Sequence, residues 1–220
     1  MAIEQNTTAK EKILKKVRQA LISKSKVLYS NIDLDSNVYS LPLTHEPILE
    51  TFAKNFTLIN GQFIYCDNHF DFLDKFITLT ERKKYKSLYC WEESIQEKFK
   101  DSGIQFIPNK KNLITAQVGV TSCEAIVART GSILLSSSRN GRSLSFVPHT
   151  HIVVAYTSQV VMEIKDAMQI VKNRYGRNMP SMLSIVSGPS CSTSIENIKI
   201  NGGQGPNELF LFLIDNKTEI

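Results

Sequence analysis

Apolar positions along this chain change period from one segment to the next, and the changes mark out its elements. Ile13, Leu14, Val17, Ala20 and Leu21 recur at helical spacing, with lysines and Arg18 largely opposite, which predicts an amphipathic helix over 10–23. Val27 to His45 shows no period and reads as a loop or short extended pieces. Pro47 marks a helix start, Ile48, Leu49, Phe52 and Phe56 its stripe, and Asn60-Gly61 its stop. From there strands and helices alternate. The expected strands are 62–66, 87–90 and 104–107, the expected helices 68–84 and 91–101, with Gly103 as a stop. Alternation of this kind predicts βαβ units and a mostly parallel sheet flanked by helices, an α/β fold.

Past this point the apolar runs crowd together. The pattern predicts strands at 113–120, 132–137, 144–147, 151–156, 182–186 and 209–214. It predicts a short helix or helical turn at 121–128, a turn at Asn140-Gly141, and a long helix over 158–175 with Val161, Ile164, Ala167, Met168 and Val171 in phase. The expected organisation is a helical arm over 1–30 and a single α/β domain over 31–220.

Composition narrows the function classes. No apolar stretch approaches the ~20 residues needed to span a bilayer, and Met1 to Lys26 is too interrupted by lysines for a signal-peptide core. The net charge is +5, and the first 30 residues hold seven Lys/Arg against two acids. That arm carries a single aromatic residue, Tyr29, so it reads as a solvated helix face rather than a nucleic-acid surface. Cys66, Cys90, Cys123 and Cys191 are too scattered for a Cys-x-x-Cys pair, so reduced thiols, a cytoplasmic location and no resident metal or cofactor are expected.

Two glycine-proline loops stand out in the last third. Ser184 to Val186 runs into Ser187-Gly188-Pro189-Ser190 and then Cys191-Ser192-Thr193-Ser194-Ile195-Glu196, while Gly202-Gly203-Gln204-Gly205-Pro206 leads into Leu209 to Asp215. An apolar strand ending in Gly-Pro and hydroxyls predicts backbone N–H groups at a strand's carboxyl end, where open α/β sheets bind ligands. Gly188, Ser190, Ser192 and Gly205 are therefore candidate ligand-binding residues, and Ser190 to Glu196 also reads as a capped helix start. Thr130-Gly131-Ser132 offers amides before a strand, and Arg142 is a candidate anion partner with the fork geometry that suits carboxylate or phosphate. His149 and His151 would face one side of an extended segment, which suits a proton relay better than a metal. Glu196 and His151 are the candidate catalytic residues.

Several of these blocks together resemble the lactate-utilisation (LUD) domain family. They are Gly119-Val120-Thr121, Thr130-Gly131-Ser132-Ile133-Leu134, Leu144 with Pro148 and His151 to Val154, Gly188-Pro189-Ser190 with Ile195-Glu196, and Gly205-Pro206. Their order and spacing agree from about Leu113 to Asp215. The resemblance implies a fold like that of ribose-phosphate isomerase, glucosamine-phosphate isomerase and CoA-transferases. It also implies a small anionic metabolite as ligand and a role beside iron–sulfur redox subunits in oxidising L-lactate. Four positions depart from the family's usual residues: Arg129 stands for Glu, Cys191 for Arg, Ser194 for Asp and Gln204 for His. Two other functions remain open. One is a stand-alone isomerase or acyl/CoA transferase using Glu124 or Glu196; the other is a degenerate ligand-binding or sensor module.

Overall fold

The computed structural model describes residues 8–22, 46–193, 199–201 and 203–216, leaving aside the side chains of residues 21, 140, 192, 193 and 199–201. The chain divides into two compact units, Met1–Leu43 and Thr44–Ile220. In the first, helix α1 spans Ala9–Ile22, within a residue of the expected limits. The loop expected over 27–45 lies outside the described residues.

The second unit opens with α2 (Ile48–Leu58), β1 (Gln62–Cys66), α3 (His69–Lys83), β2 (Leu88–Cys90) and α4 (Glu93–Asp101). Local chemistry explains several of these limits. Asn68 Oδ1 accepts the Phe70 and Asp71 N–H groups at the start of α3, which satisfies donors that lack an intrahelical partner. Lys84 ends α3 in the left-handed conformation. Then come β3 (Val118–Ser122), β4 (Ala125–Val127), β5 (Ser132–Ser136), the single turn α5 (Ser137–Asn140) and β6 (Thr150–Tyr156). The chain continues with β7 (Val160–Val161), α6 (Ile164–Tyr175), β8 (Leu183–Val186), β9 (Cys191–Thr193), β10 (Lys199–Asn201) and β11 (Glu208–Ile214).

Five strands form a wholly parallel sheet in the order β1-β11-β6-β3-β2. A second sheet runs β7-β4-β5-β8, with β4 parallel to β7 and antiparallel to β5, and β8 antiparallel to β5. The two sheets stack. Phe210, Phe212, Ile152, Val154, Val118 and Val120 point to the face covered by Phe72 and Phe76 of α3 and Phe99 of α4. The alternate residues Leu209, Leu211, Leu213, Val153 and Ala155 face Phe52 and Phe56 of α2 and Ile126 and Ile133 of the second sheet. That sheet's outer side carries Ala125, Val127 and Leu134 against Ala167 and Val171 of α6. With both faces covered, the central strands need no polar alternation, which is why 209–214 is an unbroken apolar run.

Six expectations are corrected by this arrangement. Residues 104–107 make one parallel bridge, Ile107 to Tyr89, and go no further; Pro108 follows and has no N–H for a ladder. Leu113–Thr115 is a 3-10 turn, and the strand begins only at Val118. The helix expected at 121–128 is instead the end of β3 and all of β4, a short apolar run whose type periodicity cannot fix. Residues 144–147 form a turn: Leu144 is fully buried, and its carbonyl lies 2.4 Å from where a Cβ on Gly119 would be. The long helix starts at Ile164 rather than 158, because the Gln159 side chain turns back to Tyr156 N and Cys123 O while Val160 and Val161 pair with β4. Where Ser190 to Glu196 reads as a capped helix start, Cys191–Thr193 is instead strand β9, paired antiparallel with β10, and 194–196 lie outside the described residues.

Candidate functional site

All five strands of the first sheet point the same way, so their last residues share one edge. Cys90, Ser122, Tyr156, Ile214 and Cys66 end β2, β3, β6, β11 and β1 there. A cavity of about 260 Å³ opens beside that edge. Ser122, Val154, Tyr156 and Gln159 line it from the sheet side, Phe72, Ser94 and Ile95 from α3 and α4. Three cationic side chains also reach it: Lys98 from α4, Arg139 from α5 and Arg174 from α6. Lys98 Nζ lies 3.2 Å from His69 Nε2.

Two buried carboxyl groups sit behind these cations, in contrasting surroundings. Glu124, only 1% exposed, follows the last residue of β3 by two positions. Ser136 Oγ donates to its Oε1 at 2.5 Å and Tyr175 OH at 2.6 Å. The Arg174 guanidinium bonds to Oε2, and Arg139 Nε stands 3.8 Å from Oε1. Burial pushes the Glu124 carboxyl up, but these hydroxyls and guanidinium groups outweigh it and hold it below its ordinary value. Glu124 is thus a fixed negative charge that anchors both arginines.

Glu92 follows the last residue of β2 by two positions and caps the start of α4, its carbonyl accepting the Ile95 and Gln96 N–H groups. Its carboxyl turns back to the sheet edge, accepting Ser122 N on Oε1 and Ser122 Oγ on Oε2, each at 2.5 Å. Burial pushes the Glu92 carboxyl up and prevails over the Ser122 bonds and Arg139, with the Glu124 charge adding to the rise. Two buried carboxyl groups beside one cavity are thus pushed in opposite directions, Glu124 towards its charged form and Glu92 towards greater basicity.

The residues singled out by sequence lie elsewhere. None of Thr130, Gly131, Ser132, Arg142, Gly188, Ser190 and Gly205 is among those lining the cavity. Gly131 makes the β4–β5 turn at φ +61°, where a Cβ would come within 2.5 Å of Phe56 N. Asn55 Nδ2 donates to the turn carbonyls of Ala128 and Arg129, so this loop is clasped to α2. Thr130 is exposed, and Ser132 Oγ pairs with Ser187 Oγ at 2.7 Å. Arg129 forms an ion pair with Glu163 at 2.5 Å. Arg142 is exposed in the turn after α5.

The two glycine-proline loops do meet, though at the opposite edge from the one expected. Gly205-Pro206 precedes β11 and therefore sits at the amino end of the parallel sheet; β8, which leads to Gly188, belongs to the second sheet. Ser190 N donates to Pro206 O at 2.8 Å and Gln204 N to Ser190 Oγ at 3.3 Å. The groups expected to bind a ligand thus hold the loops together. His149 and His151 do not share a face either: His149 precedes β6 and is exposed, while His151 is fully buried. His151 Nε2 lies 2.8 Å from Thr121 Oγ1, its Nδ1 has no hydrogen-bond partner among the described residues, and burial pushes the imidazole down to about 3. Glu196 lies outside the described residues, as does the side chain of Ser192.

Lys98, Glu92, Ser122, Arg139, Arg174 and Tyr175 were not found by sequence reasoning, and Glu124 only as one of two candidate carboxylates. Position at the end of a buried strand, or two residues past it, was the available signal for Ser122, Glu92 and Glu124. Arg174 and Tyr175 are the last two residues of α6, where they read as ordinary helix ending. Among the described residues no group of three or more His, Cys, Asp or Glu is placed to hold a metal ion. No described helix is long and apolar enough to cross a membrane.

Known proteins resemble this chain over much of its length. Lactate utilization protein C of Bacillus subtilis is 32% identical over 112 residues, 50% of this chain and 47% of the relative. The protein of the same name from Bacillus velezensis is 29% identical over 140 residues, 59% of this chain and 58% of the relative. The chain thus spans about half the length of the curated relatives it matches. The crystal structure of a DUF162 family protein from Deinococcus radiodurans superposes with a TM-score of 0.59 at 18% identity, covering 79% of this chain and 99% of that one. It shares the fold. The LUD domain family matches residues 7–214, nearly the whole sequence, and the chain belongs to that family.

Proposed function

We propose that this protein binds a small organic anion in the cavity at the carboxyl edge of the parallel sheet, as an accessory component of L-lactate or related organic-acid use. The observation that carries this reading is the convergence of Lys98, Arg139 and Arg174 on one cavity of about 260 Å³. A guanidinium presents several donors in a plane that matches a carboxylate, and Glu124 holds two of them ready before any ligand arrives. Phe72, Ile95 and Val154 give the cavity an apolar side for a short carbon chain. The similarity to proteins named for lactate utilisation supports the choice of ligand.

Iron–sulfur redox subunits are the partners this reading calls for, and the cytoplasm is its location. Cys66, Cys90 and Cys123 are buried and Cys191 is exposed; burial pushes the Cys66 and Cys90 thiols up to about 12, which makes them poor thiolate ligands. In this reading electron transfer belongs to the partners. Calorimetric titration of the full chain with L-lactate and with pyruvate tests the ligand. Saturable binding that Arg174→Ala weakens is the expected result, and the absence of binding by either acid would overturn the proposal.

A further inference from the structure

We propose that Glu92 and Ser122 form a proton-transfer pair opening on this cavity, and that the protein enolises a bound 2-oxo acid. The ligand class rests on the anion-binding reading above; the chemistry rests on the pair itself. Ser122 lines the cavity, whereas Glu92 lies behind it, 6% exposed, with both carboxyl oxygens engaged by the same serine. Arg139 Nη1 stands 3.5 Å from Ser122 Oγ, so a ligand carboxylate or carbonyl on the arginines would lie next to that hydroxyl. Glu124 is unsuited to the task because Ser136, Tyr175 and Arg174 already occupy its oxygens. Among the described residues Glu92 has a single partner side chain at hydrogen-bond distance, and that partner faces the cavity.

The step balances without any other reactant. The C3–H bond of the 2-oxo acid breaks, and its electron pair becomes the C2=C3 double bond as the C2=O pair moves onto oxygen. The proton forms a new O–H bond with Ser122 Oγ while the serine's own proton passes to Glu92 Oε2. The reverse transfers return a proton from solvent to C3. Arg139 and Arg174 face the oxygen on which charge develops, where donors already in place lower the barrier most. Ser122 touches the ligand in this scheme, and Glu92 acts through it.

Deuterium exchange separates this role from a merely structural one. The full chain in deuterated buffer with pyruvate should speed loss of the methyl proton signal over buffer alone, in proportion to protein. Glu92→Gln keeps a hydrogen bond to both Ser122 groups but cannot take a proton. It should slow exchange about 100-fold, the lower end for general acid–base groups. Pyruvate affinity, read by calorimetry, should stay within about threefold. Glu92→Asp should restore part of the rate. If Glu92→Gln fails to fold, Ser122→Ala, which leaves the Ser122 N–H bond to Glu92 in place, must show the same split. Binding without exchange in the unaltered protein would overturn the proton-transfer role and leave the anion site standing. A parallel loss of affinity and exchange in the variants would reduce the pair to scaffolding, and failure to bind pyruvate at all would remove both readings.

Discussion

Arg174, near the end of α6, closes on the carboxylate of Glu124, which is buried between the end of β3 and the start of β4. The contact ties α6 to the carboxyl edge of a sheet it does not otherwise cover, and Tyr175 OH reinforces it at 2.6 Å. Removing the charge at Glu124 leaves two guanidinium groups facing a neutral amide. Breaking a buried pair typically costs 3–5 kcal/mol, and both arginines are over a third exposed and can rehydrate. Glu124→Gln is therefore expected to cost about 2–3 kcal/mol in urea denaturation. Binding of organic anions should weaken with it, since the arginines lose the group that orients them.

The two buried carboxyl groups should leave opposite marks on the pH dependence of stability. Glu124 is held below its ordinary value near 4.5, so its contribution is complete above that pH and is lost as pH falls through the folded-state value. Glu92 is raised above the same ordinary value. Its preference for the proton is fully expressed below about pH 4.5 and is lost as pH rises through the raised value. Urea midpoints measured across pH should show Glu124→Gln flattening the acid limb and Glu92→Gln flattening the decline on the other side of pH 4.5. Identical profiles for the two variants would show that burial does not divide their roles in this way.

His151 should behave as a buried neutral group. Folding favours the uncharged ring, so its contribution is present above the ordinary value of 6.5 and is lost as pH falls from there towards about 3. Replacing it by leucine should remove one proton's worth of pH dependence across that interval. Thr121 would lose its partner at 2.8 Å, a cost of about 1 kcal/mol at neutral pH. A His151 signal titrating near 6.5 in NMR would contradict this burial.

Gly188 is expected to tolerate no side chain. Its φ is +78°, and a Cβ would stand 2.2 Å from the carbonyl oxygen of Ile59, at the end of α2. The left-handed backbone alone costs about 1–2 kcal/mol with a side chain, and the backbone clash forces a shift whose cost is typically 1–3 kcal/mol. Gly188→Ala should lose about 2–5 kcal/mol by denaturation. Gly176→Ala, with φ +52° but nothing within 4 Å of the added atom, should lose only the conformational part. Equal losses would remove the Ile59 contact from the account.

The parallel architecture was legible because its central strands are apolar on both faces and its first helices carry clean stripes. Phe52 and Phe56, or Phe72 and Phe76, announce a helix face directly. The site was harder to read because chemistry on a parallel sheet depends on where each strand stops. Taking 121–128 as helical hid the carboxyl end of β3, and with it the meaning of Ser122 and Glu124. The glycine-proline loops drew notice because their composition is unusual, and the structure puts that composition to work in loop closure: Ser190 is engaged by Gln204 and Pro206. Arg139 and Arg174 lie 35 positions apart in sequence, and only the placement of α6 brings both to Glu124.

The neighbouring arginines Arg139 and Arg142 offer the sharpest test of where the anion sits. The sequence favoured Arg142, which follows a glycine turn, but it projects into solvent, while Arg139 faces the cavity with Ser122 and Glu124 at hand. Gly141, at φ +64° and packed against the Trp91 ring, reverses the chain between them and so sends the two side chains to different places. Arg139→Ala should weaken pyruvate or L-lactate binding by about 1.5–3 kcal/mol, the usual range for hydrogen bonds to a charged group. Arg142→Ala should leave the affinity within about 0.5 kcal/mol of the unaltered chain, as surface substitutions do. Both variants need only a calorimetric titration and a check of the folded state. The reverse ranking would move the site out of the carboxyl-edge cavity and back to the turn that the sequence first singled out.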